Sequence, residues 1–318
     1  MDNQRFLLWA SFGLVLFLIY QAWMEDYYVR PSESARAPTA EGAPAEQGAT
    51  GDADEGEGLL PSITAAPGSA ALEPPGAAPV ETGGGTEKIR VVTDVLRLEI
   101  DPAGGALVRA AIPRYPVEKK RPNDPVVLLD TRDEFFVVQT GLRAAGGADE
   151  PNHRAQWEPE ANAYRLEEGD DALTVRMRWQ GGDVSAVREY RFKRGSYQVD
   201  IDTRVSNAGT APWAGADYMQ IIRDNRVIER SFTSVESYSY RGPAVYDGER
   251  YEKLDAGDLE DGAWRVSAAG GWLALIQHHF LVAAVPPPDV TYQLEAALLS
   301  SNRYLLRTVG PTRSVAPG

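Results

Sequence analysis

Between Phe6 and Met24 the chain reads FLLWASFGLVLFLIYQAWM, nineteen residues without a charge. At about 1.5 Å of rise per residue, a helix of that length approaches the roughly 30 Å of hydrocarbon in a bilayer. The run predicts a transmembrane helix over residues 6–24, with Phe6, Leu7, Leu8, Trp9, Leu14, Val15, Leu16, Phe17, Leu18, Ile19, Tyr20 and Trp23 as its membrane-anchoring surface. Trp9, Tyr20 and Trp23 sit toward the two ends, where amphipathic rings favour the interface, and Arg5, Glu25 and Asp26 bound the run. Charge alone does not orient it, because Arg5 and the terminal amine face Arg30 and Arg36. The short polar stretch 1–5 and the long acidic segment behind the helix place the N-terminus in the cytoplasm. A cleaved signal would need a basic leader, a shorter apolar core and a small-residue site close behind it. Ala35 and Ala37 form such a pattern only well past the helix, and Pro38 follows them.

The remaining composition narrows the rest. The 318 residues include no cysteine, so neither disulfides nor thiolate metal sites are available. A net charge of -14 excludes nucleic acid as a partner and disfavours anionic lipid surfaces. Residues 31–86 hold nine acidic residues, one basic residue and no aromatic one, amid repeated Pro, Gly and Ala. Such a segment cannot bury enough apolar surface to offset chain entropy, so residues 25–87 read as a disordered, charge-extended tether.

From residue 88 the pattern changes to period two, the mark of half-buried strands. Leu96, Leu98 and Ile100 alternate with Arg97, Glu99 and Asp101, and Leu173, Val175, Met177 and Trp179 alternate with Thr174, Arg176 and Arg178. Tyr190 and Phe192 lead through Lys193-Arg194-Gly195-Ser196 to Tyr197, Val199 and Ile201, a hairpin with one wet face and a positive φ expected at Gly195. Trp272 to Val285 is apolar in both alternating sets and reads as one strand buried on both sides, ended by Pro286-Pro287-Pro288. No helical stripe alternates with strands, so residues 88–318 are expected to be mainly β, a large antiparallel sandwich.

Several segments carry a family resemblance in order along the chain: Met1-Asp2-Asn3-Gln4-Arg5 before an apolar span ending Gln21-Ala22-Trp23, Gly104-Gly105 before Tyr115-Pro116, and YRFKRGSYQVDIDTRVSNAG at 190–209. Tyr240-Arg241-Gly242, Tyr251-Glu252-Lys253 and GGWLALIQHHF at 270–280 continue it. Together they resemble the YidC-type membrane protein insertases of Gram-negative bacteria. The resemblance implies an inner-membrane protein whose first helix leads to a periplasmic β-supersandwich similar to sugar mutarotases, followed by five helices that form the insertase. It implies nascent inner-membrane proteins, the lipid bilayer, the Sec translocon and its SecD/SecF accessory subunits as partners, and no cofactor or covalent chemistry. It also implies a final strand beyond Gly318, so the domain is expected to be truncated and the strand at Tyr304–Thr308 to carry an unpaired edge.

Candidate sites are few. His278 and His279, if on a strand, point to opposite faces and cannot chelate one metal together, which leaves His153 alone. No P-loop, nucleophile elbow or zincin spacing occurs. Tyr240, Tyr246 and Tyr251 fall in a Gly/Pro-containing region and form the candidate partner surface, unless they only pack that region onto the sandwich. Asp200 and Arg204 read as a solvated strand face, where such pairs contribute little. The alternative function is a membrane-tethered periplasmic carbohydrate-binding or mutarotase-like protein.

Overall fold

The computed structural model describes residues 87–145, 149–226 and 239–318, together with Leu14, Phe17, Leu18 and Tyr20. The chain divides between Asp52 and Ala53 into two units. Of the first unit the four named residues are helical and exposed. Phe6, Leu7, Leu8, Trp9, Val15, Leu16, Ile19 and Trp23 of the expected span, and the expected tether up to Thr86, lie outside the described residues. Among the described residues no helix is long and apolar enough to cross a membrane.

The second unit is mainly β. It opens with β1 (Ile89–Val92), β2 (Arg97–Asp101), β3 (Ala106–Pro116), β4 (Pro125–Leu129) and β5 (Phe136–Ala144). Two short strands follow, β6 (Glu158–Pro159) and β7 (Ala163–Arg165), then the long β8 (Ala172–Gly181), β9 (Val184–Lys193), β10 (Val199–Asn207) and β11 (Trp213–Asp224). The last third holds β12 (Arg241–Tyr246), β13 (Tyr251–Lys253), the helix α1 (Ala256–Glu260), β14 (Trp264–Ala269), β15 (Trp272–Gln277), β16 (Phe280–Ala284), β17 (Thr291–Leu298), β18 (Arg303–Val309) and β19 (Arg313–Val315). The helix is a single turn held by a capping box, in which Asp255 and Asp258 each accept the other's backbone N–H, and Leu259 anchors it in the core.

The strands form an eleven-stranded sheet, in the order β14-β17-β18-β11-β5-β3-β2-β1-β7 with β4 and β19 alongside, and two four-stranded sheets, β10-β9-β8-β6 and β13-β12-β15-β16. One apolar cluster joins all three. Ile100, Leu107, Val138, Ile221 and Leu306 enter it from the large sheet, Val175, Met177, Tyr190 and Phe192 from one small sheet, and Val245, Leu273 and Leu275 from the other. Both small sheets therefore turn one face to the same side of the large one, which buries the period-two sets that the sequence displays. Among the described strands pairing is antiparallel except for β1 with β7, which run parallel. Where one face stays wet the alternation survives: β8 buries Val175 and Met177 and exposes Arg176 and Arg178. β9 and β10 form the expected hairpin, with Phe192 opposite Val199 and φ +72° at Gly195. At the β2–β3 connection Gly104 and Gly105 both have positive φ, and a Cβ on Gly104 would collide with the His153 carbonyl.

Three expectations are corrected. Trp272–Val285 is not one strand buried on both sides but the hairpin β15–β16, whose outward residues Leu281 and Val285 are exposed. His278 and His279 are its two-residue turn, so their side chains do not diverge across a strand; the rings stand 3.7 Å apart. The strand at Tyr304–Thr308 has no free edge, because β18 lies between β11 and β17 and is paired with both. It is buried on both faces, and that is why its sequence shows no alternation.

Candidate functional site

The sheet β13-β12-β15-β16 turns Val245, Leu273, Leu275 and Ala284 to the core. Register then fixes what faces outward. Tyr251 stands opposite Tyr246, and Tyr246 opposite Trp272. The Tyr246 and Trp272 rings are stacked at 5.8 Å and 29°, and Tyr251 meets Trp272 at 5.9 Å. Tyr246 is fixed further by its hydroxyl, which donates to the Gly248 carbonyl at 2.7 Å. Ala244 and Ala274 follow as a small-residue row, then Gly242, Ile276 and Leu281. Tyr251, Leu281 and Val285 are 48, 55 and 69% exposed and Tyr246, Trp272 and Ile276 half-buried, whereas Gly242, Ala244 and Ala274 are buried, so the part of this face that reaches solvent is its aromatic and aliphatic margin.

Of the three candidate tyrosines, the structure brings Tyr246 and Tyr251 together around Trp272 and sets Tyr240 apart. The Tyr240 hydroxyl lies within donating reach of the Leu254 carbonyl at 2.7 Å and of the Pro243 carbonyl, and burial raises its pKa. Lys253 places its ammonium 4.8 Å above the Tyr240 ring. Tyr240 thus ties the start of β12 to the chain after β13 and contributes little outward surface. Trp272, Leu281 and Val285 belong to the patch but escaped the sequence reading, which placed them inside a buried strand. The available signal was the polar triplet Gln277-His278-His279 interrupting the apolar run.

The outer face of the large sheet carries a different feature, a polar row running straight across five strands: Gln139, Gln220, Arg307, Glu295 and Arg265 stand in register. Gln220 donates to Gln139 at 2.7 Å, Arg307 donates to Gln220 at 3.2 Å and to Glu295 at 3.4 Å, and Arg265 reaches Glu295 at 2.6 Å. Each member bonds the next along the row. His153 lies beside it, buried, with Nδ1 2.7 Å from the Tyr218 hydroxyl. Burial first, then Arg154, Arg307 and Arg143, lowers its pKa to about 4. Burial among arginines thus holds the His153 imidazole neutral.

Comparison with known proteins places the whole arrangement. Residues 88–318 match the sequence model of the family described as YidC periplasmic domain. A protein named membrane protein insertase YidC from Thioalkalivibrio sulfidiphilus is 39% identical over 294 residues, covering 90% of this chain and 50% of that protein. Its namesake from Ectopseudomonas mendocina is 32% identical over 347 residues, covering all of this chain and 58% of that protein. The chain thus spans about half the length of the curated relatives it matches. Among solved structures, a galactose mutarotase-like protein from Lactobacillus casei aligns with 73% of this chain and 96% of its own, at a TM-score of 0.43 and 9% identity. On the match over residues 88–318, the chain belongs to the YidC family, and the three-sheet unit is its periplasmic domain.

Proposed function

We propose that this chain works as part of an insertase that places and folds integral proteins of the bacterial inner membrane, alone or with the Sec translocon. The observation that carries this reading is the full-length alignment: insertases match all of the chain, the apolar run and the acidic stretch included. In this reading residues 6–24 cross the inner membrane with residues 1–5 in the cytoplasm, residues 25–87 are the tether, and the β domain stands in the periplasm. The facing of one large sheet by two smaller ones supports a supersandwich of the mutarotase-like kind. In this reading the domain acts by contact and not by covalent chemistry.

Within that function the patch of Tyr246, Tyr251, Trp272, Leu281 and Val285 is the docking surface, with the SecD/SecF accessory subunits as its partner. Its aromatic composition and exposure fit a contact that forms and releases.

The test uses cells depleted of their own insertase and supplied with the complete reading frame to which this chain belongs. Insertion of a small inner-membrane protein, read by protease accessibility from the periplasmic side, is expected to return. Unrestored insertion, with the protein present in the membrane at normal level, overturns the reading. Acceleration of sugar anomer exchange by the purified chain would instead favour the mutarotase-like alternative.

A further inference from the structure

Three consecutive residues at the end of β15 collect the least satisfied polar groups of the domain. The Ile276 carbonyl accepts from Arg223 Nη1 at 3.2 Å, Gln277 stands opposite Arg241, and His278 donates its backbone N–H to the Tyr240 carbonyl at 3.3 Å. Arg223 comes from β11, flanked in register by Phe136 and Tyr304, and is fully buried with its guanidinium 5.3 Å from the Phe136 ring. Among the described residues eight buried side-chain atoms lack a hydrogen-bond partner, and four of them are here: Arg223 Nε and Nη2, Arg241 Nε and His278 Nδ1. Such atoms are rare in folded proteins, and their gathering at one place calls for a specific occupant.

Charge points the same way. Arg241 is paired with Glu134, whereas Arg223 meets only a carbonyl, so two guanidiniums share one carboxylate and a positive charge is left over. Burial, then the neighbouring Arg241, lowers the pKa of Arg223 only to about 10, so it stays cationic at neutral pH. An uncompensated buried charge is strongly destabilising, and an anion removes that cost. The unpartnered nitrogens belong to two arginines and a histidine, and guanidinium groups are favoured donors to phosphate oxygens. Arg241 and Glu134 are 15 and 20% exposed and His279 is exposed, so the cluster borders solvent on that side. His278 holds φ +55° in the turn beside it, an unusual conformation for a residue with a side chain.

We propose that Arg223, Arg241 and His278 form a binding site for a tetrahedral oxyanion, a phosphate group either free or carried on a lipid headgroup. This goes beyond the insertase reading and does not depend on it. The test is calorimetric titration of the full chain in a maltoside detergent and phosphate-free buffer. One arm uses inorganic phosphate, the other glycerophosphoglycerol, the water-soluble head of an anionic lipid. Saturable one-to-one binding is expected in at least one arm; preference for the first assigns a free anion and preference for the second a lipid headgroup. Arg223→Lys keeps the charge but loses the planar fork, and affinity is expected to fall by about tenfold or more. Glu134→Gln removes the competing carboxylate and should raise affinity by about tenfold, a gain that a misfolded variant could not produce. No saturable binding in either arm, or affinities unchanged in both variants, overturns the proposal.

Discussion

The hydroxyl of Tyr218 accepts the backbone N–H of His153 at 2.9 Å and stands 2.7 Å from the Nδ1 of the same histidine. One phenol thereby holds both main chain and ring of a residue 65 positions away. With Nδ1 unprotonated the hydroxyl donates to it, which suits the neutral imidazole that burial enforces. The folded pKa is about 4 against an ordinary 6.5. Between those values the unfolded chain takes up a proton that the folded chain refuses. Stability should therefore rise with pH through that window, level off above it, and lose up to about 3 kcal/mol below it. Denaturant unfolding of wild type and His153→Gln across the window should show a shallower slope in the variant. Equal slopes would remove His153 as the source.

Gly141 makes the Tyr218 contact possible. It stands opposite Tyr218 in the β5–β11 ladder, and a Cβ there would strike the hydroxyl end of the tyrosine ring. Gly141→Ala should force the phenol off His153 and cost about 1–3 kcal/mol, the usual range for overpacking. If the same substitution costs as much in a Tyr218→Ala background, the cost comes from the backbone and the steric account is wrong.

The strands that the sequence displayed are those with one wet face. β8 and β10 alternate because solvent selects every second residue, and the turn between β9 and β10 is marked by Gly195. β15 and β16 were misread as one strand for the complementary reason, whereas the strand at β18 was expected and only its free edge, inferred from the family resemblance, was wrong. Leu273 and Leu275 face the core while Ala274 is buried on the other side, so period two gives no register there. The turn that splits the run carries two histidines in place of Gly or Asn, so no turn residue announced it. The aromatic patch was half legible: Tyr246 and Tyr251 are close in sequence, but Trp272 joins them only through strand pairing. Arg223 and Arg241 were illegible as a pair, since nothing local shows that their strands face each other across two sheets.

Arg188 links one small sheet to the large one. It is fully buried, with Nη1 donating to the Gly104 and Thr140 carbonyls at 3.0 and 3.3 Å, Nε donating to the Thr203 hydroxyl at 3.1 Å, and its carbon 4.2 Å from the Trp157 ring centroid. Arg188→Met keeps the volume but leaves two buried carbonyls without this donor, at an expected loss of about 3 kcal/mol. Lysine should not rescue it, because a point charge cannot reproduce the planar fork or the stacking. Chemical denaturation of the full chain measures both; a stable Arg188→Lys would refute the geometric claim.

The two faces of β15 and its neighbours should respond in opposite ways. Leu273 is completely buried on the inner face, so Leu273→Ala removes core volume and should cost about 2–5 kcal/mol. Tyr251 and Leu281 are outward and about half exposed, and Tyr251→Ser or Leu281→Ser should change stability by no more than about 0.5 kcal/mol. If the outer face is the docking surface, the serine variants should nevertheless lose capture of the SecD/SecF subunits from detergent-solubilised membranes, with the double variant losing most. Trp272 lies at the centre of the aromatic row, and Trp272→Ala should weaken capture more than either serine variant, since interface energy concentrates at central aromatic residues. Serine variants that unfold would place these residues inside. Folded variants with undiminished capture would leave the patch exposed but without that partner.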